Sequence, residues 1–196
     1  MLFLDVDGPL IPFGPSGQRA AHRHRGGSAS GAGTSAGPGP GPRARAGSAN
    51  PLLERLDPAV GPRLAALDCE LVWASTWRDD ANDAVAPLLG LPRLPVVDWP
   101  AEPTGGEPTG GEPADEEHTD EGPRGLHWKT RHIVAWAGRR PFIWVDDEIG
   151  AVDRLWVSAQ HDGQSLLHRV DSGEALTDDD FAVLDRWLRD LRAGQL

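Results

Sequence analysis

The chain carries one cysteine, Cys69, in 196 residues. A single thiol excludes an intramolecular disulfide framework and a cysteine-rich zinc site. Tyrosine is absent, so eight Trp and four Phe supply all the aromatic surface. No apolar run approaches the ~20 residues that a membrane span needs. The opening Met1-Leu2-Phe3-Leu4-Asp5 lacks the basic region of a secretory signal. These absences predict a soluble cytoplasmic protein with no membrane partner. The net charge of −11 argues against a general binder of phosphate backbones, whose affinity comes from Lys and Arg. It leaves room for a local basic pocket.

What is present is unevenly distributed. Residues 26–48 contain only Gly, Ser, Ala, Thr, Pro and Arg. Such a stretch has almost no apolar area to offset its ordering entropy. Residues 11–50 hold five Arg and no acid, whereas 101–121 hold eight acids and no Lys or Arg. Glu-Pro-Thr-Gly-Gly is repeated in tandem at 102–111, too briefly to build a solenoid. The expectation is one domain over residues 1–196, interrupted by low-complexity loops at about 14–50 and 99–125. Neither loop has the apolar periodicity of a folded cap domain.

The remainder alternates between strand and helix. Leu2–Val6, Glu70–Ala74, Leu94–Val97, Pro141–Val145 and Ser165–Val170 read as strands. A helix is expected from Asp57-Pro58 to Leu67, delayed or weakened by Gly61-Pro62. A second runs from Asp79 or Asp80 to Gly90, kinked at Pro87. A third spans about Trp128–Ala137. The last begins at Thr177-x-x-Asp180, a capping-box pattern, and carries Phe181, Leu184, Leu188 and Leu191 at helical spacing. This alternation predicts an α/β fold: a doubly wound, Rossmann-like parallel sheet of about five strands, with helices on both faces. Ligands in such sheets bind at the carboxyl ends of the strands.

Polar residues gather at those ends. The first strand closes in Asp5-Val6-Asp7-Gly8, the second in Ser75-Thr76, the fourth in Asp146-Asp147. Lys129 lies near the start of the helix before the fourth strand. Carboxylates at i and i+2 of an extended chain share a side. Beside Asp146 they repel one another, and a divalent cation resolves the conflict. All-oxygen ligands favour magnesium over zinc. A cation ringed by carboxylates, with an ammonium and a hydroxyl opposite, suits a phosphoryl group.

Asp5-Val6-Asp7-Gly8-Pro9-Leu10 resembles DxDGxL, the first motif of the haloacid dehalogenase superfamily of phosphohydrolases. Leu71–Thr76 looks like the second motif, Lys129 the third, and Phe142–Asp147 the fourth, in the family's order. The wording around Trp73–Asn82, His127–Thr130 and Trp144–Glu148 is similar to a bacterial, phosphatase-like branch. The resemblance implies a magnesium-dependent phosphohydrolase acting through an aspartyl-phosphate. It implies Asp5 as nucleophile and Asp7 as general acid and base. Ser75 or Thr76 would bind phosphate together with Lys129 and Gly8. Asp5, the Asp7 carbonyl, Asp146 and Asp147 would hold the metal.

Two other readings compete. One is a non-catalytic binding module on the same fold. The other is a receiver-like phospho-acceptor, but its Lys follows the other site residues in chain order, whereas Lys129 precedes the final acidic pair. Trp77 and Trp128, which flank Ser75 and Lys129, either wall the pocket or stack on a base. An open site without a cap suits a large phosphorylated substrate, such as a nucleic-acid end or a phosphoprotein. A small metabolite is the other substrate class, and no obligate protein partner is evident.

Overall fold

The short strands Leu2–Leu4 and Leu71–Trp73 are apolar at every position, and Phe142–Asp146 is apolar up to its last residue, which suits strands covered on both sides. The computed structural model describes residues 1–14, 50–99 and 123–194. The low-complexity loops expected at about 14–50 and 99–125, and the expectation that neither folds as a cap, fall almost wholly outside these residues.

Four strands pair in parallel: β1 (Leu2–Leu4), β2 (Leu71–Trp73), β3 (Phe142–Asp146) and β4 (Ser165–Arg169). Their spatial order is β2-β1-β3-β4. Leu2 pairs with both Leu71 and Ile143, so β1, β2 and β3 are in register and their side chains alternate together. Leu2, Leu4, Trp73, Ile143 and Val145 point into one core. Phe3, Val72, Phe142 and Trp144 point into a second core on the opposite face.

Helices α1 (Val60–Ala66), α2 (Asp80–Ala84), α3 (Ala86–Leu89) and α6 (Asp178–Arg192) bury Leu64, Ala81, Leu89 and Leu184 in the first core. Helices α4 (Lys129–Ala137) and α5 (Ala151–Gln160) bury Ile133 and Val157 in the second. The doubly wound α/β architecture is therefore present, with helices on both faces of a parallel sheet.

Three local expectations are corrected. Leu94–Val97 forms no full strand; it contributes one parallel bridge, Val96 to Trp73, beyond β2. Pro95 has no N–H to donate, and only its carbonyl joins the ladder, accepting from Trp73 N at 2.8 Å. The expected helix from Asp79 to Gly90 is two helices, with Pro87 in the first turn of the second, where a missing N–H costs little. Helix α1 begins at Val60, while Asp57 Oδ1 accepts from Ala59 N in the preceding turn. Helix α5 was not expected from the sequence.

Gly61 has a packing role. A Cβ there would lie 1.8 Å from the Leu89 carbonyl oxygen, so α1 and α3 approach closely only because the side chain is missing. Helix α6 starts as expected: Asp180 N donates to Thr177 Oγ1, and Asp180 Oδ2 accepts from Thr177 N.

Candidate active site

The chain runs from β1 to β2 in one direction across the sheet and from β3 to β4 in the other. The reversal falls between β1 and β3, where a crevice opens at the strands' carboxyl ends. Asp5 is the first residue beyond β1, and its N–H donates to the Val145 carbonyl of β3 at 3.1 Å. Asp146 is the last residue of β3. The ladder itself thus sets these two carboxylates side by side.

Lys129 bridges them. Its Nζ donates to Asp5 Oδ2 at 2.7 Å and to Asp146 Oδ2 at 2.9 Å. All three residues are buried. Asp5 Oδ1 is held by the N–H of Val6 at 2.8 Å, and Asp146 Oδ1 by the N–H of Glu148 at 2.9 Å. The ammonium stands at the first residue of α4, whose N-cap position is Trp128, a residue with no capping side chain. His127 Nδ1 accepts from Lys129 N at 3.2 Å, and Asp153, reaching across from α5, anchors the residues on either side. Its Oδ1 accepts from His127 N at 2.8 Å and from Thr130 Oγ1 at 2.6 Å, and its Oδ2 from Gly150 N at 2.8 Å. One buried carboxylate thereby ties the start of the lysine-bearing helix to the turn after β3.

Charge in the site is unbalanced. Burial raises the Asp5 carboxyl to about 6; Lys129 pulls it down, and Asp146 pushes it further up. Burial also raises Asp147, and Asp146 and Glu148 add to the effect. Burial opposes the charge on Lys129, but the attraction of Asp5 and Asp146 outweighs it and holds the ammonium above its ordinary range. Asp5, Asp146 and Asp147 each offer a ligand oxygen, all within 4.8 Å of one another. Three carboxylates facing one ammonium form a hard, oxygen-only donor set with surplus negative charge, which fits a divalent cation of the magnesium or calcium type. A second cluster, His127, Asp146 and Glu148, has similar spacing, but His127 Nε2 is already bonded to Glu148 Oε2 at 2.9 Å.

Asp7 sits at the mouth. Its Oδ2 accepts from the indole N–H of Trp77 at 2.9 Å. The chain then turns at Gly8, with φ +82°, and Gly8 N donates to the Ile11 carbonyl at 3.0 Å. A Cβ at Gly8 would stand 2.5 Å from Asp147 Cγ, so this glycine both allows the turn and admits the acid. Asp5, Asp7, Thr76, Lys129 and Asp147 line a cleft of about 150 Å³, with Phe13, Trp128 and Glu148 around it. Ser75 is fully buried beneath it, where its hydrogen bond steadies the Asp5 carboxylate.

Every expected site residue therefore lies in or directly against one cleft. Sequence reasoning did not single out Phe13, Asp153 or Glu148 as site residues. Asp153 had a readable sign in Gly150-x-x-Asp153, the spacing of a helix start. Phe13 and Glu148 had none. Among the described residues no helix is long and apolar enough to cross a membrane.

The order of the parallel strands, with an Asp pair, a Lys and two further acids converging at the switch point, defines a hydrolase core of the haloacid dehalogenase type. Within that class the chain belongs to the family described as the HAD domain in Swiss Army Knife RNA repair proteins, whose model matches residues 1–181. Comparisons with curated proteins and with solved structures returned no match.

Proposed function

We propose that this chain is a magnesium-dependent phosphomonoesterase that removes terminal phosphate from RNA ends, with Asp5 as its nucleophile. The observation that carries the chemistry is the Lys129 ammonium shared by Asp5 and Asp146, with Asp7 at the mouth of the same cleft. The substrate class is supported by the RNA repair proteins in which the matched family occurs.

Asp5 attacks phosphorus, forming an acyl-phosphate bond as the bond to the leaving oxygen breaks. Asp7 gives its proton to that oxygen. In the second half Asp7 takes a proton from water, the water oxygen attacks phosphorus, and the Asp5 carboxylate leaves with inorganic phosphate as product. Lys129 neutralises charge on the phosphoryl oxygens and keeps Asp5 ionised. The hydroxyl of Thr76, which lines the cleft, is the hydrogen-bond donor from the end of β2, while Ser75 steadies Asp5 from below. Magnesium held by Asp5, Asp146 and Asp147 would supply further neutralisation of the phosphoryl oxygens.

The direct test is release of inorganic phosphate from RNA oligonucleotides phosphorylated at either end. Magnesium should be required, and Asp5→Asn should abolish release. Failure of the wild-type chain to release phosphate from any such oligonucleotide in magnesium would refute the proposal.

A further inference from the structure

Among the described residues four large apolar side chains are exposed: Phe13, Leu88, Trp128 and Leu155. The two aromatic ones are the two that line the catalytic cleft. Phe13 is 55% exposed and Trp128 46%, beside an Asp5 that is 6% exposed.

Trp128 is open and also held in place. Its ring meets Trp99 edge to face, with centroids 5.0 Å apart at 76°. His127 lies against it at 5.7 Å, and Lys129 Nζ stands 5.7 Å from its centroid. The indole face is therefore preorganised within reach of the ammonium that receives the phosphoryl group. The base of a terminal nucleotide lies one sugar away from its phosphate.

Among the described residues the cleft walls carry Asp5, Asp7, Asp147 and Glu148 against a single Lys129. Such walls give a polyanion little of the phosphate-backbone attraction on which nucleic-acid binders usually depend. Contacts that do not depend on charge are well suited to such walls, and stacking on an aromatic face is such a contact.

We propose that Trp128, with Phe13 as a second apolar wall, forms a nucleobase subsite that stacks the base of the phosphorylated terminal nucleotide. This rests on the RNA-end reading above and adds to it the recognition of the base itself. Recognition of this kind is tolerant of base identity, because every base has a π face.

The test uses matched RNA trinucleotides phosphorylated at one end, with either a normal base or an abasic ribose in the phosphorylated position. Equilibrium binding is read on the full-length Asp5→Asn chain, and kcat/KM on the active chain. The base should improve binding and kcat/KM by roughly 5- to 150-fold, the range for stacking one base. Trp128→Ala should collapse that ratio toward one, Phe13→Ala should lower it partly, and Trp128→Phe should restore most of it. The ratio should change little between low and high salt, unlike a phosphate contact. Equal binding of the base-bearing and abasic forms, or a ratio that survives the Phe13→Ala and Trp128→Ala double variant, overturns the subsite. Turnover of the abasic substrate reports on the phosphatase reading separately, so the two fail independently.

Discussion

The indole N–H of Trp77 donates to Asp7 Oδ2 at 2.9 Å, joining the turn after β2 to the turn after β1. This bond fixes one carboxylate oxygen of a residue that lines the cleft. Asp7→Asn should lower turnover of alkyl phosphates by about 10²–10⁴-fold, the usual worth of general acid–base assistance. Trp77→Phe keeps the packing and removes the donor; a loss of roughly tenfold is expected, in line with a hydrogen bond to a charged group. Both losses should shrink on aryl phosphates, whose leaving groups need no proton. A uniform loss across leaving groups would mean that Trp77 only supports the fold.

Asp5 should cost the metal-free protein stability. Its folded carboxyl titrates at about 6 against an ordinary 3.8. A carboxyl raised by folding contributes stability below its unfolded value and loses it as pH rises through the folded one. In chelator, Asp5→Asn should therefore melt higher than wild type at pH 7, and the gap should close below about pH 4. A lower melting temperature at pH 7 would contradict the charge imbalance described above.

Lys129 should matter for stability as well as for turnover. The sequence alone suggests that Lys129→Met impairs turnover and leaves the fold intact. The structure shows an ammonium 2% exposed between two buried carboxylates. Removing one partner of a buried ion pair costs about 3–5 kcal/mol. Denaturant titration should show a loss of this size, and millimolar magnesium should recover part of it by replacing the missing positive charge. An unchanged unfolding midpoint would return Lys129 to a surface role.

Asp153 should control the site from a distance. Asp153→Ala strips acceptors from His127 N, Thr130 Oγ1 and Gly150 N. Unsatisfied buried donors cost about 1–3 kcal/mol each. Stability and kcat should fall together, because the start of α4 carries Lys129. Asp153→Asn keeps one carbonyl acceptor and should recover part of both. Normal kcat in the alanine variant would uncouple the cap from the ammonium.

Acid should loosen α6 at its first turn. Burial raises Asp180, but hydrogen bonds from Thr177 and from the His168 ring, 2.7 Å away, outweigh it and hold the carboxyl below its ordinary value. A depressed carboxyl stabilises above its unfolded value and loses that contribution as pH falls through the folded one. Stability should drop below about pH 4, and Asp180→Ala should flatten that limb of the curve. An unaltered acid limb in the variant would rule out this contribution.

Much of this was legible because strand and site obey local rules. Apolar runs closing in Asp5, Ser75 and Asp146 marked both the sheet and its active edge. The Thr177–Asp180 capping box marked α6, since both partners lie within one turn. The misses involve partners distant in sequence. Nothing near Trp128 indicates that the start of its helix is anchored from α5. Gly61 looks like a helix breaker until Leu89 O is seen against it. Leu94–Val97 has strand composition, yet two prolines, Pro92 and Pro95, and an edge position reduce it to one bridge. Phe13 is one apolar residue at the rim of a low-complexity stretch, and only folding brings it to the cleft.

The two low-complexity segments join the described chain beside Phe13 and beside Trp99. Phe13 lines the cleft, and Trp99 braces Trp128 and donates its indole N–H to the Ser75 carbonyl. Both segments are therefore joined to the described chain beside residues at or next to the candidate site, and neither interrupts a pairing between β1, β2, β3 and β4. This separates inheritance from innovation. Mutation can lengthen, shorten or recompose either segment without moving Asp5 relative to Asp146, because the ladder that aligns them contains none of that sequence. Selection on the composition of those segments is thereby released from selection on the spacing of the Asp5 and Asp146 carboxylates.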